Sequence, residues 1–114
     1  MADIKIGDIF YASWGYDQTN IDFVQVIGIS PSGKTAICKR ATEKIVSHED
    51  AMAETIVPGD LIGSSFRLKI GQINSPDSSR HGEIQLRGSL PDMPRSVMSF
   101  WKWDGKPLFQ SHYH

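Results

Sequence analysis

The chain has 114 residues, the length of one domain (1–114) that buries about two-thirds of the surface its unfolded form exposes. Its 39% hydrophobic and 22% charged residues place it outside the disordered and membrane-spanning classes. Twelve Lys and Arg against thirteen Asp and Glu leave a net charge of −1, which argues against a general polyanion binder relying on a basic excess.

The elements follow in chain order as short apolar runs separated by turn residues, the pattern of an all-β domain. A first strand spans about Gly7 to Ser13 and a second Asp22 to Ile29. The second is apolar on both faces at Val24, Val26, Ile27 and Ile29, as a central strand is. The connector, Ser13-Trp-Gly-Tyr-Asp-Gln-Thr-Asn20, is richer than a turn needs. Gly, Asn and Asp alone would reverse the chain; Trp14 and Tyr16 beside Asp17, Gln18 and Asn20 point to a binding loop.

Ser30-Pro-Ser-Gly33 reads as a turn, with strands following over Thr35–Lys39 and Glu43–Val46. Ser47-His-Glu-Asp50 resembles a helix-capping box and precedes Ala51-Met-Ala-Glu54, so one short helix is expected near 47–54, ended by Pro58-Gly59-Asp60. Ser65–Ile70 alternates, with Phe66, Leu68 and Ile70 on one side and Arg67 and Lys69 on the other. A polar loop over Asn74–Gly82, a strand over Glu83–Arg87 and a rigid connector over Leu90–Pro94 lead to a strand over Val97–Trp103. Leu108 onward is a candidate edge strand. The sum is an SH3-like or related small barrel, or a curled antiparallel sheet, of about seven strands.

Charge is unevenly spread: residues 1–60 hold nine acids and five bases, residues 61–114 four acids and seven bases. Arg67, Lys69, Arg80, Arg87 and Arg95 are therefore available for a basic face, although scattered solvated charge is the plainer reading. Cys38, the single cysteine, excludes an internal disulfide, fits a reducing compartment and reads as a small buried hydrophobe. The first residues lack the apolar core of a signal peptide and no run reaches membrane-spanning length, so a cytoplasmic protein without a membrane partner is expected.

Gly28-Ile-Ser-Pro-Ser-Gly33-Lys34-Thr35 satisfies the phosphate-loop pattern after a strand. No confident helix and no metal-binding Asp strand follow it, so a hairpin turn is expected, with a nucleotide-binding or hydrolytic enzyme as the alternative. His112 and His114 share one strand face and with His81 or Asp104 have the makings of a zinc set. No Cys pair accompanies them, and no metal or other cofactor is expected. Asp17 and Asp22 are able to act as acid or base, but loop carboxylates more often cap turns, and no recognisable catalytic frame appears. The expected protein is not an enzyme.

A second aromatic group, Phe100, Trp101, Trp103 and Tyr113, lies toward the far end. Trp101 and Trp103 share a face opposite Phe100, and they serve either the core or a surface. If the barrel brings both ends together, the candidate binding surface joins Trp14, Tyr16, Asp17, Gln18 and Asn20 to Trp101, Trp103, Asp104, Lys106 and Tyr113.

The run Gly7-Asp-Ile-Phe-Tyr-Ala-Ser-Trp-Gly-Tyr-Asp-Gln-Thr-Asn20 with Asp22-Phe23, and the later Trp103-Asp-Gly-Lys-Pro107, resemble the two ends of a family of small proteins encoded by bacteriophages and other mobile elements. The resemblance covers both ends and loosely the middle as far as Pro58, but not the segment 74–94. It implies a setting rather than a mechanism: small phage proteins often bind host machinery, defence nucleases included. The expectation is a cytoplasmic β-barrel that binds a host protein. The alternative is a single-stranded nucleic-acid binder using the same aromatics with Arg67, Lys69 and Arg87. An exposed patch around the tryptophans would also allow a homodimer.

Overall fold

The computed structural model describes residues 4–14, 20–50, 53–77, 79 and 81–111, with the backbone alone at 47–50, 53 and 109–111. Seven strands follow in order: β1 (Ile9–Trp14), β2 (Asn20–Ile29), β3 (Thr35–Asp50), β4 (Ala53–Gln72), β5 (Ile84–Gly88), β6 (Met98–Lys102) and β7 (Leu108–Ser111). They pair antiparallel in the order β3-β2-β1-β6-β5-β4-β7, and a further β3–β4 pairing closes the first six into a barrel. The seam between β1 and β6 is two rungs long, Phe10 opposite Lys102 and Tyr11 opposite Trp101. No helix is long and apolar enough to cross a membrane among the described residues.

Strand alternation sorts the side chains into two cores. Phe10, Ala12, Val24, Val26, Ala36, Cys38, Leu68, Leu86 and Phe100 fill the barrel, and Leu90 enters it from the segment after β5. The opposite faces of β1 and β2 carry Ile9, Tyr11, Ile21 and Phe23, and there the distal halves of β3 and β4, with β7, cover the barrel wall. Ile21, Phe23, Ala41 and Ile56 form this second core, with Trp103 and Leu108 packed against it. Phe23 meets Trp103 edge-on, ring centroids 6.1 Å apart at 72°, the favoured quadrupole geometry.

The expected helix near 47–54 is not present among the described residues. Ser47, His48 and Asp50 lie opposite Thr55, Glu54 and Ala53, so the segment is the tip of the β3–β4 hairpin. Residues 51 and 52 lie outside the described residues. Ladder pairing satisfies the backbone there, and a capping pattern too short to nucleate a helix alone is overruled. The two strands expected over Thr35–Lys39 and Glu43–Val46 are one continuous β3.

At 16 and 20 residues, β3 and β4 are far longer than usual, and register shifts between Cys38/Arg40, Ala41/Glu43, Ile45/Ser47 and His48/Asp50 break their course. Pro58-Gly59, expected to end a helix, sits at one of these shifts. Pro58 lies beyond the rungs shared with β7, which end at Ile56, so β4 is an edge on that side, the setting in which a strand tolerates proline. A Cβ on Gly59 would stand 2.5 Å from Thr42 Oγ1, so any side chain there would force Thr42 to turn away.

Cys38 is fully buried in the barrel, and desolvation pushes its thiol from an ordinary value near 9 up to about 12. The unfolded chain therefore releases this proton first, and the thiol's contribution to stability, intact below pH 9, falls as the pH rises toward 12. Alkaline thermal denaturation should show stability declining more steeply in the parent than in Cys38→Ala, by up to about 1.4 kcal/mol per pH unit. Parallel slopes would show that the thiol ionises equally in both states.

Candidate functional site

The β1–β2 hairpin sets Ala12 opposite Asp22 and Trp14 opposite Asn20. Asp22 shares the inward parity of Val24 and Val26, at the end of the barrel where the apolar filling stops. It is 8% exposed, and an isolated carboxylate so placed would be costly. Both oxygens are used: Oδ2 accepts the Trp14 Nε1–H at 2.5 Å and Oδ1 accepts an Arg40 Nη2–H at 2.6 Å.

Arg40 continues the inward row Ala36, Cys38 of β3 and lies opposite Val24. Its Nη1–H donates to Asp92 Oδ2 at 2.7 Å, so one guanidinium bridges two carboxylates. Asp92 belongs to the segment that sends Leu90 into the core. Arg40 Nε is buried without an acceptor. A chain of charge-assisted hydrogen bonds thus runs from Trp14 at the end of β1 to the segment covering the barrel mouth.

Two shallow depressions adjoin this chain and share Arg40 and Ile62. One, of about 280 Å³, is walled by Gly63, Pro91 and Asp92. The other, of about 300 Å³, is walled by Asp22, Phe23 and Thr42. Ile62, opposite Arg40 in the β3–β4 ladder, is 47% exposed. Trp14 is 41% exposed although its indole N–H is held. A depression of about 560 Å³ beside the Thr42–Gly59 bulge has no aromatic side chain in its wall. The surface with the richest chemistry is the polar chain with Trp14 and Ile62.

The expected two-ended surface is not assembled among the described residues. Trp14 ends β1, whereas Trp103 donates its backbone N–H to Ile9 O at the start of that strand. Trp103 is structural: it packs on Phe23, and its Nε1–H donates to Lys106 O at 2.7 Å. Asp104 Oδ1 accepts the Lys106 backbone N–H at 3.0 Å, so Trp103-Asp-Gly-Lys106 is a self-bonded turn. Trp101 is half-buried on the outer wall, between Gln85 and Tyr11. Asn20 opens β2 opposite Trp14. Tyr16, Asp17, Gln18 and Tyr113, with His112 and His114, lie outside the described residues.

Arg67, Lys69 and Arg87 do come together, Lys69 and Arg87 as cross-strand partners. The phosphate-loop match is the β2–β3 turn. Ser30 N–H donates to Thr35 O, Gly33 N–H to Ser30 O and Thr35 N–H to Ser30 Oγ, with Gly33 at φ 74°. These amides are occupied within the turn, and a strand rather than a helix follows.

Arg40, Ile62 and Asp92 escaped the sequence reading. A signal existed for one of them: Arg40 continues the apolar row Ala36, Cys38, and a cation at an inward position needs a carboxylate such as Asp22. Asp92 and Ile62 join only through long-range register.

Comparisons with protein-family models, curated proteins and solved structures found no match.

In urea denaturation, Asp22→Ala should cost about 2–4 kcal/mol, because it removes the acceptor that Arg40 Nη2–H and the indole N–H share at a part-buried position. Asp92→Ala removes a carboxylate that is 60% exposed and should cost less than about 1 kcal/mol. Equal losses would contradict the unequal roles assigned to the two carboxylates.

Proposed function

We propose that this protein is a non-enzymatic β-barrel binding module of phage or mobile-element origin that docks a host protein in the cytoplasm. Its docking surface is the mouth of the barrel around Trp14, Arg40, Ile62 and Pro91. One observation carries the reading: Trp14 is two-fifths exposed, yet its indole is tied to a buried carboxylate that also holds Arg40.

An aromatic ring and a guanidinium held by one carboxylate have the composition of an interface hot spot. Because both are fixed before any partner arrives, little side-chain entropy remains to be lost on association. Ile62 adds apolar area, and the shallow depressions either side of Arg40 offer places for a partner's side chains. The near-neutral net charge of −1 favours a protein surface as the occupant. The phage setting rests on the resemblance of the Gly7–Phe23 and Trp103–Pro107 runs; a host defence or nucleic-acid-processing factor is the partner class it points to.

The partner is sought by tagged pull-down from the bacterial host and measured by titration calorimetry. Ile62→Asp, which breaks no hydrogen bond of the network, should weaken the complex at least tenfold, about 1.4 kcal/mol, with Tm shifted by no more than a few degrees. Trp14→Ala should weaken it further. Unchanged affinity in both variants would place the interface elsewhere. Sedimentation of the pure protein tells whether the occupant is instead a second copy of the chain.

A further inference from the structure

The outer wall of the barrel carries a second feature that the proposed docking surface does not use. In β4, Arg67 and Lys69 face outward on alternate positions, and Lys69 lies directly opposite Arg87 of β5. All three side chains are exposed, and none has an ion-pair partner among the described residues. Reading across four strands, the rung is Thr35, Lys69, Arg87, Ser99. The next rung is Gly71, Gln85, Trp101, Tyr11. Neither rung contains a carboxylate.

Like charges directly opposite each other weaken a sheet, and opposite-sign pairs are the usual arrangement. Here two cations face each other with a third two residues away, in a chain whose net charge is −1. A polyanion laid across them turns this repulsion into attraction. Trp101 stands one rung from Arg87, and Gly71 leaves its own place in that rung without a side chain. A depression of about 410 Å³ beyond Tyr11 has Glu83, Asp104 and Lys102 in its wall, so the ground there is of mixed sign, and the carboxylate-free part extends from Trp101 toward Arg67.

We propose that this wall binds single-stranded nucleic acid, with Arg67, Lys69 and Arg87 on successive phosphates and Trp101 stacked on a base. A single strand is the occupant because stacking needs a base whose face is free, and duplex DNA offers none along its length. The three cations give a local, salt-sensitive affinity, consistent with the absence of a basic excess over the whole chain. The site lies on the barrel wall and is separate from the mouth at Trp14, so it stands or falls independently of the docking proposal.

The test is a fluorescence-anisotropy titration of the full chain into a labelled oligothymidine of about 12 nucleotides at 50 and 200 mM salt. Three phosphate contacts predict a log–log salt slope of about −2, an affinity loss of about 15-fold across that range. The triple variant Arg67→Gln/Lys69→Gln/Arg87→Gln should retain its circular dichroism and lose binding. Trp101→Leu should weaken binding about fivefold to a hundredfold with the salt slope unchanged, and Trp101→Tyr, which keeps a flat ring, should bind close to the parent.

No binding at 50 mM salt overturns the proposal, as does a salt-independent affinity or full binding by the folded triple variant. Inorganic polyphosphate binding as tightly as the oligonucleotide, with Trp101→Leu and Trp101→Tyr both at parent affinity, makes the wall an anion patch only and also overturns it. A duplex of equal length bound as tightly as the single strand removes the stacking argument and has the same effect.

Discussion

One guanidinium at the mouth of the barrel ties together side chains from three separate stretches of chain. Arg40 reaches Asp22 on one side and Asp92 on the other. Through Asp22 it fixes Trp14; through Asp92 it fixes the segment that delivers Leu90 to the core. A half-buried cation with two carboxylates is not an efficient way to gain stability, since desolvation offsets much of the attraction. Its effect is to specify geometry. The observed placement of Trp14, the covering segment and β3 satisfies both oxygens of Asp22, and Arg40 Nε goes without an acceptor in it.

The barrel itself depends on a division of labour between the two faces of β1 and β2. The inner face supplies the filling, and the outer face would be an apolar liability if left uncovered. The distal halves of β3 and β4 resolve this by continuing past the barrel and folding over that outer face, where β7 joins them. Irregular register along β3–β4 accompanies this course, with Gly59 at the tightest approach. Trp103 belongs to the same arrangement. Its indole N–H and its edge-on contact with Phe23 lock the turn before β7 against the wall, so a tryptophan in a distinctive motif serves architecture.

Much of the fold was legible in the sequence because apolar runs bounded by turn residues, and the alternation over Ser65–Ile70, are local signals. The all-β class, a count of about seven strands, the Ser30–Gly33 turn and the buried Cys38 are legible in single segments, whereas the continuity of β3 and the first half of β4 are not. The segment 47–54 was misread because its helical pattern is also local, whereas pairing with the strand it turns into is not. The site was half legible. Trp14 stood out as an aromatic in a connector, and Arg67, Lys69 and Arg87 as outward cations on their strands. That Lys69 faces Arg87, or that Arg40 finds Asp92, depends on which strands become neighbours, and no periodicity within a strand carries that information. The adjacency expected between Trp14 and Trp103 failed for a geometric reason: antiparallel pairing of β1 with β6 sends the two tryptophans to opposite ends of β1.

The seam between β1 and β6 has a kinetic meaning. Every other junction of the barrel joins strands that follow each other in the chain, so hairpins can form them early and locally. The β1–β6 seam joins distant parts of the sequence through two rungs; it carries the largest loop-closure entropy for the fewest hydrogen bonds. On loop-closure grounds it is expected to be the last junction to form and the first to part. Tyr11 and Trp101 meet across that seam, which makes the aromatic end of the cationic wall a feature of the closed barrel and not of the hairpins that precede it.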